Sequence, residues 1–220
     1  MMRKFALICS ILSAILAVVV VATILPDTVP THFNFRGEAD SWGSKWSYVW
    51  MGLIPVAISV IYEVYRRKTP DAKNRKMEDK LIPLMSLFFI PVLWLTMPLR
   101  GEQTAMDVRY FCGVTLLLGV LMIVISNYMG KIRQNRYMGI KVPWVYKSED
   151  IWNKTHRLGG FFGMLGGAVM IITSIIALFN GHTAFAWCFG GLIAGIVLTV
   201  LVPTVYSAWL YHKLKKENKL

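Results

Sequence analysis

The sequence predicts an all-α membrane protein. It should have six transmembrane helices, both termini in the cytoplasm, an ordered first extracellular loop and a short interfacial helix in the fourth loop. Three observations carry that prediction. Of 220 residues, 55% are hydrophobic and 16% charged, with a mean hydropathy of +0.51, whereas a soluble domain is about a quarter charged. Six apolar stretches approach the roughly 20 residues that a bilayer-spanning helix needs. The lysines and arginines gather in alternate connections between those stretches.

The first stretch, Phe5–Leu25, holds about 13 Leu, Ile, Phe or Val residues, which favours insertion by about 4–8 kcal/mol. Its basic start, Met1–Lys4, resembles the n-region of a signal peptide. However, the apolar core exceeds the usual length of roughly 7–15 residues and no A-x-A-like site follows before Pro26, so it is expected to remain as a helix. The other five spans are expected near Ser47–Tyr65, Leu81–Met97, Tyr110–Met129, Gly160–Phe179 and Ala184–Leu210.

Orientation follows from charge. With the N-terminus inside, the cytoplasmic side holds Arg3 and Lys4, seven basic residues between Arg66 and Lys80, and seven between Lys131 and Arg157. The tail adds Lys213, Lys215, Lys216 and Lys219. Only Arg36, Lys45, Arg100 and Arg109 of the 24 basic residues remain outside. That asymmetry is a strong positive-inside signal. The net charge of +12 is therefore a consequence of insertion beside anionic lipid, and direct nucleic-acid binding is not expected.

Within the spans, Gly159, Gly163 and Gly167 recur every four residues, as do Gly191 and Gly195. Small residues at that spacing let backbones approach, which predicts a tight pairing of the fifth and sixth helices. Pro55, Pro83, Pro91 and Pro203 should kink their helices or leave carbonyls unpaired. Such breaks can mark transport sites, but no ionisable residue sits clearly at mid-bilayer, where an ion relay would leave one. Cys9, Cys112 and Cys188 all lie in apolar runs. A Cys112–Cys188 pair is conceivable because both fall toward outer helix ends, but buried free thiols fit the pattern better.

Two loops carry chemistry. From Leu25 to Trp46, Pro26 and Pro30 enforce extended backbone, and Gly37 and Gly43 permit turns. His32, Asn34, Asp40 and Lys45 intersperse polar groups among Phe33, Phe35, Trp42 and Trp46. An ordered cap at the headgroups is expected, with His32, Asn34, Gly37, Asp40 and Lys45 as candidate ligand-binding residues. His32 and Asp40 are metal-type ligands, but two do not make a three- or four-ligand site, and no activated nucleophile accompanies them. No metal, cofactor or catalytic residue is expected.

From Asn135 to Gly160, Gly139 and Pro143 interrupt the fourth helix. Ser148, followed by Glu149 and Asp150, reads as a helix start. The turns that follow place Trp152, His156 and Gly159 on one face, and Trp144 and Trp152 are expected at headgroup level.

These two loops resemble a known family. Asn135-x3-Gly139-Ile140-Lys141-x-Pro143-Trp144, followed by Trp152-x3-His156-Arg157, is similar to the signature of the SdpI family of bacterial membrane proteins. Pro26, Pro30, His32, Phe33, Asn34, Gly37, Asp40, Ser44 and Lys45 resemble an uncharacterised domain that often precedes it. Lys141 stands where arginine is usual, and an ammonium cannot reproduce a planar bidentate contact; Val142 replaces a common threonine.

The resemblance implies a multi-pass cell-membrane protein made of an N-terminal two-helix region (residues 1–80) and an SdpI-like four-helix region (residues 81–220). It implies immunity to a secreted antimicrobial peptide toxin met from outside. It also implies sensing of that toxin, with a cytoplasmic winged-helix repressor held at the membrane. Asn135, Gly139, Lys141, Pro143, Trp144, Trp152, His156 and Arg157 would then bind the partner. Alternatives are a receptor-like signal transducer without immunity, a small-molecule transporter, or an envelope enzyme using His32 or His156.

Overall fold

The computed structural model describes residues 1–34, 37–69, 73–97 and 107–218. Phe35, Arg36, Arg100 and Lys219, which enter the loop and charge readings, lie outside the described residues. Among the described residues, six helices are long and apolar enough to cross a membrane. They are α1 (Met2–Thr23), α2 (Ser47–Lys68), α3 (Arg75–Thr96), α4 (Val108–Met129), α5 (Glu149–Leu178) and a final rod, Ala184–Lys216. The rod consists of α6 (Ala184–Ile196), a π turn at Val197–Leu201 and α7 (Val202–Lys216). Pro203 sits in the first turn of α7, so the widened turn lies where a proline removes a backbone donor.

Burial runs opposite to that of a soluble protein. On α1 the buried face is Ala6, Ser10, Ser13 and Ala17, while Phe5, Ile8, Leu12, Ile15, Leu16 and Val19 point outward. Lipid tails are as apolar as leucine, so large side chains gain nothing by turning inward, and small or hydroxyl-bearing residues make the contacts between helices. Ser86 of α3 donates to the Pro55 carbonyl at 2.7 Å. It also lies 2.7 Å from Ser59 and 3.1 Å from Ser10, tying α1, α2 and α3 together. At one end of this trio, Asp79 accepts from Tyr62 at 2.8 Å and pairs with Arg3 at 3.2 Å and Arg66 at 3.1 Å.

Helix α5 packs against α4, α6 and α7, and α3 bridges α1 and α2 to α4. Glycines set these distances. A Cβ on Gly167 would lie 2.6 Å from the Gly119 carbonyl oxygen of α4, and one on Gly166 would lie 2.8 Å from the Gly195 oxygen of α6. The fifth and sixth helices therefore do pack closely, through Gly166 and Gly195. The Gly163 and Gly167 part of the predicted stripe faces Ser126 and Gly119 of α4 instead. A four-residue spacing marks a smooth helix face but not the neighbour that covers it.

Two connections take the ordered form that the sequence predicts and add detail to it. The interfacial helix and fifth span are one 30-residue helix, with Ser148 accepting from the Asp150 N–H at its start. At about 1.5 Å per residue the helix is about 45 Å long, about 15 Å more than the hydrocarbon thickness, so its first turns project beyond the bilayer. The loop between α1 and α2 is an antiparallel hairpin of β1 (Thr28–Phe33) and β2 (Ala39–Ser44), with irregular register between Pro30 and Phe33. Buried Val29 seats it on Ala17, Val21, Leu25, Tyr48 and Met97 at the ends of α1, α2 and α3.

Candidate functional site

The hairpin leans over the start of the final rod: a Cβ on Gly37, at the hairpin's turn, would run into the Phe185 ring. A cleft of about 670 Å³ lies beneath. Thr31, His32, Phe33, Asn34 and Asp40 form its hairpin side, and Phe111 of α4 with Phe185, Ala186 and Phe189 of α6 form its floor. Phe111 and Phe185 stack with centroids 5.4 Å apart. His32 Nδ1 lies 2.6 Å from Asp40, and both side chains are open to solvent. Asn34 donates to Glu38 at 2.9 Å and accepts from its N–H at 3.1 Å, closing the hairpin. A mostly aromatic pocket with a few convergent polar groups is the usual form of a ligand site.

Of the five expected ligand residues, His32, Asn34 and Asp40 line this cleft and Gly37 abuts its floor. Lys45 is set apart at the hairpin's base, 3.0 Å from Asp27 and 3.3 Å from the Leu25 carbonyl. Phe111, Phe185 and Phe189 were not anticipated. Their only mark in the sequence is a recurrence of phenylalanine near helix ends on one side of the membrane. Among the described residues, no cluster of three metal-type ligands includes His32 and Asp40.

At the opposite end, residues 131–148 fold back on α5. Asn135 organises the turn: its Oδ1 accepts from Tyr137 and Met138 N–H at 2.7 Å, and its Nδ2 donates to the Arg133 carbonyl at 2.8 Å. Gly139, at φ +109°, adopts a conformation that side chains resist and presses its backbone against His156. His156 Nε2 accepts the Ile140 N–H at 2.9 Å, which leaves Nδ1 as the donor to the Trp152 carbonyl at 2.8 Å. Trp152 stacks on His156 with centroids 4.0 Å apart and donates to the Ile132 carbonyl at 2.7 Å. The buried position of Trp152 corrects the expected placement among headgroups: its indole N–H has a carbonyl partner inside the protein. Trp144, one residue into the short Pro143–Lys147 turn, donates to Ser207 of α7 at 2.8 Å.

The expected partner-binding residues therefore divide by what they touch. Asn135, Gly139, Trp144, Trp152 and His156 hold the loop together, and Pro143 begins its short turn, whereas Lys141 and Arg157 are exposed. Arg157 lines a shallow basic pocket of about 430 Å³ with Lys131, Arg133 and Lys154. Asn74, buried at the start of α3, links the two basic connections. Its side chain donates to the Arg133 carbonyl at 2.9 Å and accepts from the Arg133 N–H at 3.0 Å.

Six spans, a hairpin cap over an aromatic cleft at one end and a basic, internally latched loop at the other define a multi-pass cell-membrane protein. Comparison with known proteins narrows the class. Residues 131–207 match the SdpI/YfhL protein family, and residues 9–56 match a domain of unknown function (DUF1648). The chain is also similar to Immunity protein SdpI of Bacillus subtilis (strain 168), at 23% identity over 170 residues, covering 76% of this chain and 75% of that protein. No solved structure matches.

Proposed function

We propose that this protein is an integral membrane immunity protein that protects its cell from a secreted antimicrobial peptide. The hairpin end faces outside, and the peptide is captured at the cleft between hairpin and helices. The observation that supports this most is the cleft itself. Its aromatic floor of Phe111, Phe185 and Phe189 suits apolar peptide side chains, and the His32–Asp40 pair at the rim offers polar contacts. Similarity to a protein named as an immunity protein supports the protective role. In this reading residues 1–80 carry the hairpin and residues 81–220 supply the cleft floor and the partner-facing loop.

The opposite end faces the cytoplasm, where Lys141, Arg157 and the neighbouring basic groups would dock an acidic face of a winged-helix repressor. A transducer without an immunity role is the second reading. It is favoured by the His156 latch, which fastens the loop to the same α5 that packs on α4 and α6 beneath the cleft. Such a switch requires the ligand to bind one arrangement of the latch more tightly than the other. An acid–base role for His156 is disfavoured, because both ring nitrogens bond to backbone and the ring is buried.

Expression in a peptide-sensitive strain tests the proposal. Survival should rise with the wild-type protein and fall back when Phe185→Ala empties part of the cleft floor at unchanged membrane abundance. Equal killing with and without the protein, across candidate secreted peptides, would reject it.

A further inference from the structure

We propose that Cys112 and Cys188 are joined by a disulfide in the cell, stapling α4 to α6 directly behind the floor of the cleft. The inference rests on the outward orientation proposed for the hairpin end, because disulfides persist in the extracytoplasmic compartment and are rare in the cytoplasm. Cys112 lies in the second turn of α4 and Cys188 in the second turn of α6. In the structure both are buried free thiols, as the apolar runs predict, and their Sγ atoms lie in hydrogen-bonding contact 3.0 Å apart. Ala177 and Ala184 complete the cluster, and their small side chains allow the close approach that a disulfide needs. A covalent bond of about 2.05 Å requires about 1 Å of further approach, which is small beside the usual spread of Cα separations across disulfides. The third cysteine, Cys9, is on α1 and stands outside the cluster.

The consequence reaches the ligand site. Phe111 precedes Cys112 and Phe189 follows Cys188, and both rings line the cleft. A bond between the two sulfurs fixes the separation of α4 and α6 at the level of those rings. The bond would span 76 residues of chain, so it would also exclude a large set of unfolded conformations.

The chemistry is thiol–disulfide exchange. A thiolate of the pair attacks the disulfide of an extracytoplasmic thiol–disulfide oxidoreductase, giving a mixed disulfide that the second thiolate resolves. One S–S bond forms in this protein and one breaks in the carrier. The two protons and two electrons leave with the carrier as its dithiol. Because both sulfurs are buried, exchange takes place before α6 settles on α4, and the finished bond is then shielded from reductants.

The test is thiol counting on the full chain. Cells are quenched in acid, and the denatured protein is alkylated before any reductant is added and then mapped by mass spectrometry. The expected result is a label on Cys9 alone and a linked peptide two hydrogens lighter than the sum of its parts. Cys112→Ser should expose Cys188 to label, and Cys188→Ser should expose Cys112. Labels on all three cysteines before reduction would overturn the inference. Impermeant labelling of Asp27→Cys in a background lacking the native cysteines reports orientation separately. An outward hairpin with three free thiols defeats the disulfide alone, whereas an inward hairpin defeats the orientation on which the proposed function also stands.

Discussion

His156 and Asp40 show how differently two polar residues of one chain can serve. The His32–Asp40 pair is exposed, so its net worth to stability is about 0–1 kcal/mol. Asp40→Asn should leave the thermal midpoint within error while lowering protection against the peptide; unchanged protection would remove the pair from the ligand site. His156 is the opposite case. His156→Phe keeps a ring to stack on Trp152 but leaves the Ile140 N–H without its acceptor, a loss of about 1–3 kcal/mol. Hydrogen exchange at Ile140 should accelerate in that variant, and an unchanged rate would show that the latch is held elsewhere. The face shared by Trp152, His156 and Gly159 was legible in the sequence because helical spacing is local. The role of Trp152 was not, since its partner is the carbonyl of Ile132, reached by a chain reversal that no periodicity records. The role of Asn74 is illegible for the same reason: its bonds to Arg133 cross 59 positions.

At the scale of elements, the spans were legible to within a few residues where apolar composition changes sharply, as at Ser47, Ala184 and Met129. The start of α3 at Arg75 was hidden, because its first turn is polar and lies beyond the apolar run. The hairpin was hidden too: Pro30 and the irregular register blur the alternation that identifies a strand, leaving only its extended entry and turn glycines readable. The glycine stripe was visible, but its division between α4 and α6 needed the packed bundle. That division makes a sharp comparison possible between two identical substitutions. Gly167→Ala places a Cβ against the Gly119 backbone and should force α4 and α5 apart at a cost of about 1–3 kcal/mol. Gly190→Ala meets nothing within 4 Å and should be neutral. Thermal unfolding in detergent separates the two, and equal midpoints would mean that the α4–α5 contact is looser than the structure places it.

Across the whole molecule, the decisive quantity is the distribution of charge between the two ends. A lysine or arginine near an anionic leaflet gains about 1 kcal/mol. The end that carries the Arg66–Lys80 and Lys131–Arg157 connections, with both termini, holds most of the 24 basic residues. An inverted orientation would forfeit that attraction many times over, and the 15 Å extension of α5, with Lys154 and Arg157 on it, would carry further charge to the wrong compartment. Orientation should therefore be uniform rather than dual. In a cysteine-free background, Asp27→Cys, whose parent side chain is 96% exposed, should react with a membrane-impermeant maleimide in intact cells. Tyr137→Cys, at an exposed position in the latched loop, should react only after lysis. Labelling of both in intact cells would indicate mixed insertion, and the reversed pattern would place the aromatic cleft in the cytoplasm, where a secreted peptide does not arrive. Either result would separate the architecture, which stands on packing, from the immunity reading, which stands on which side the cleft opens.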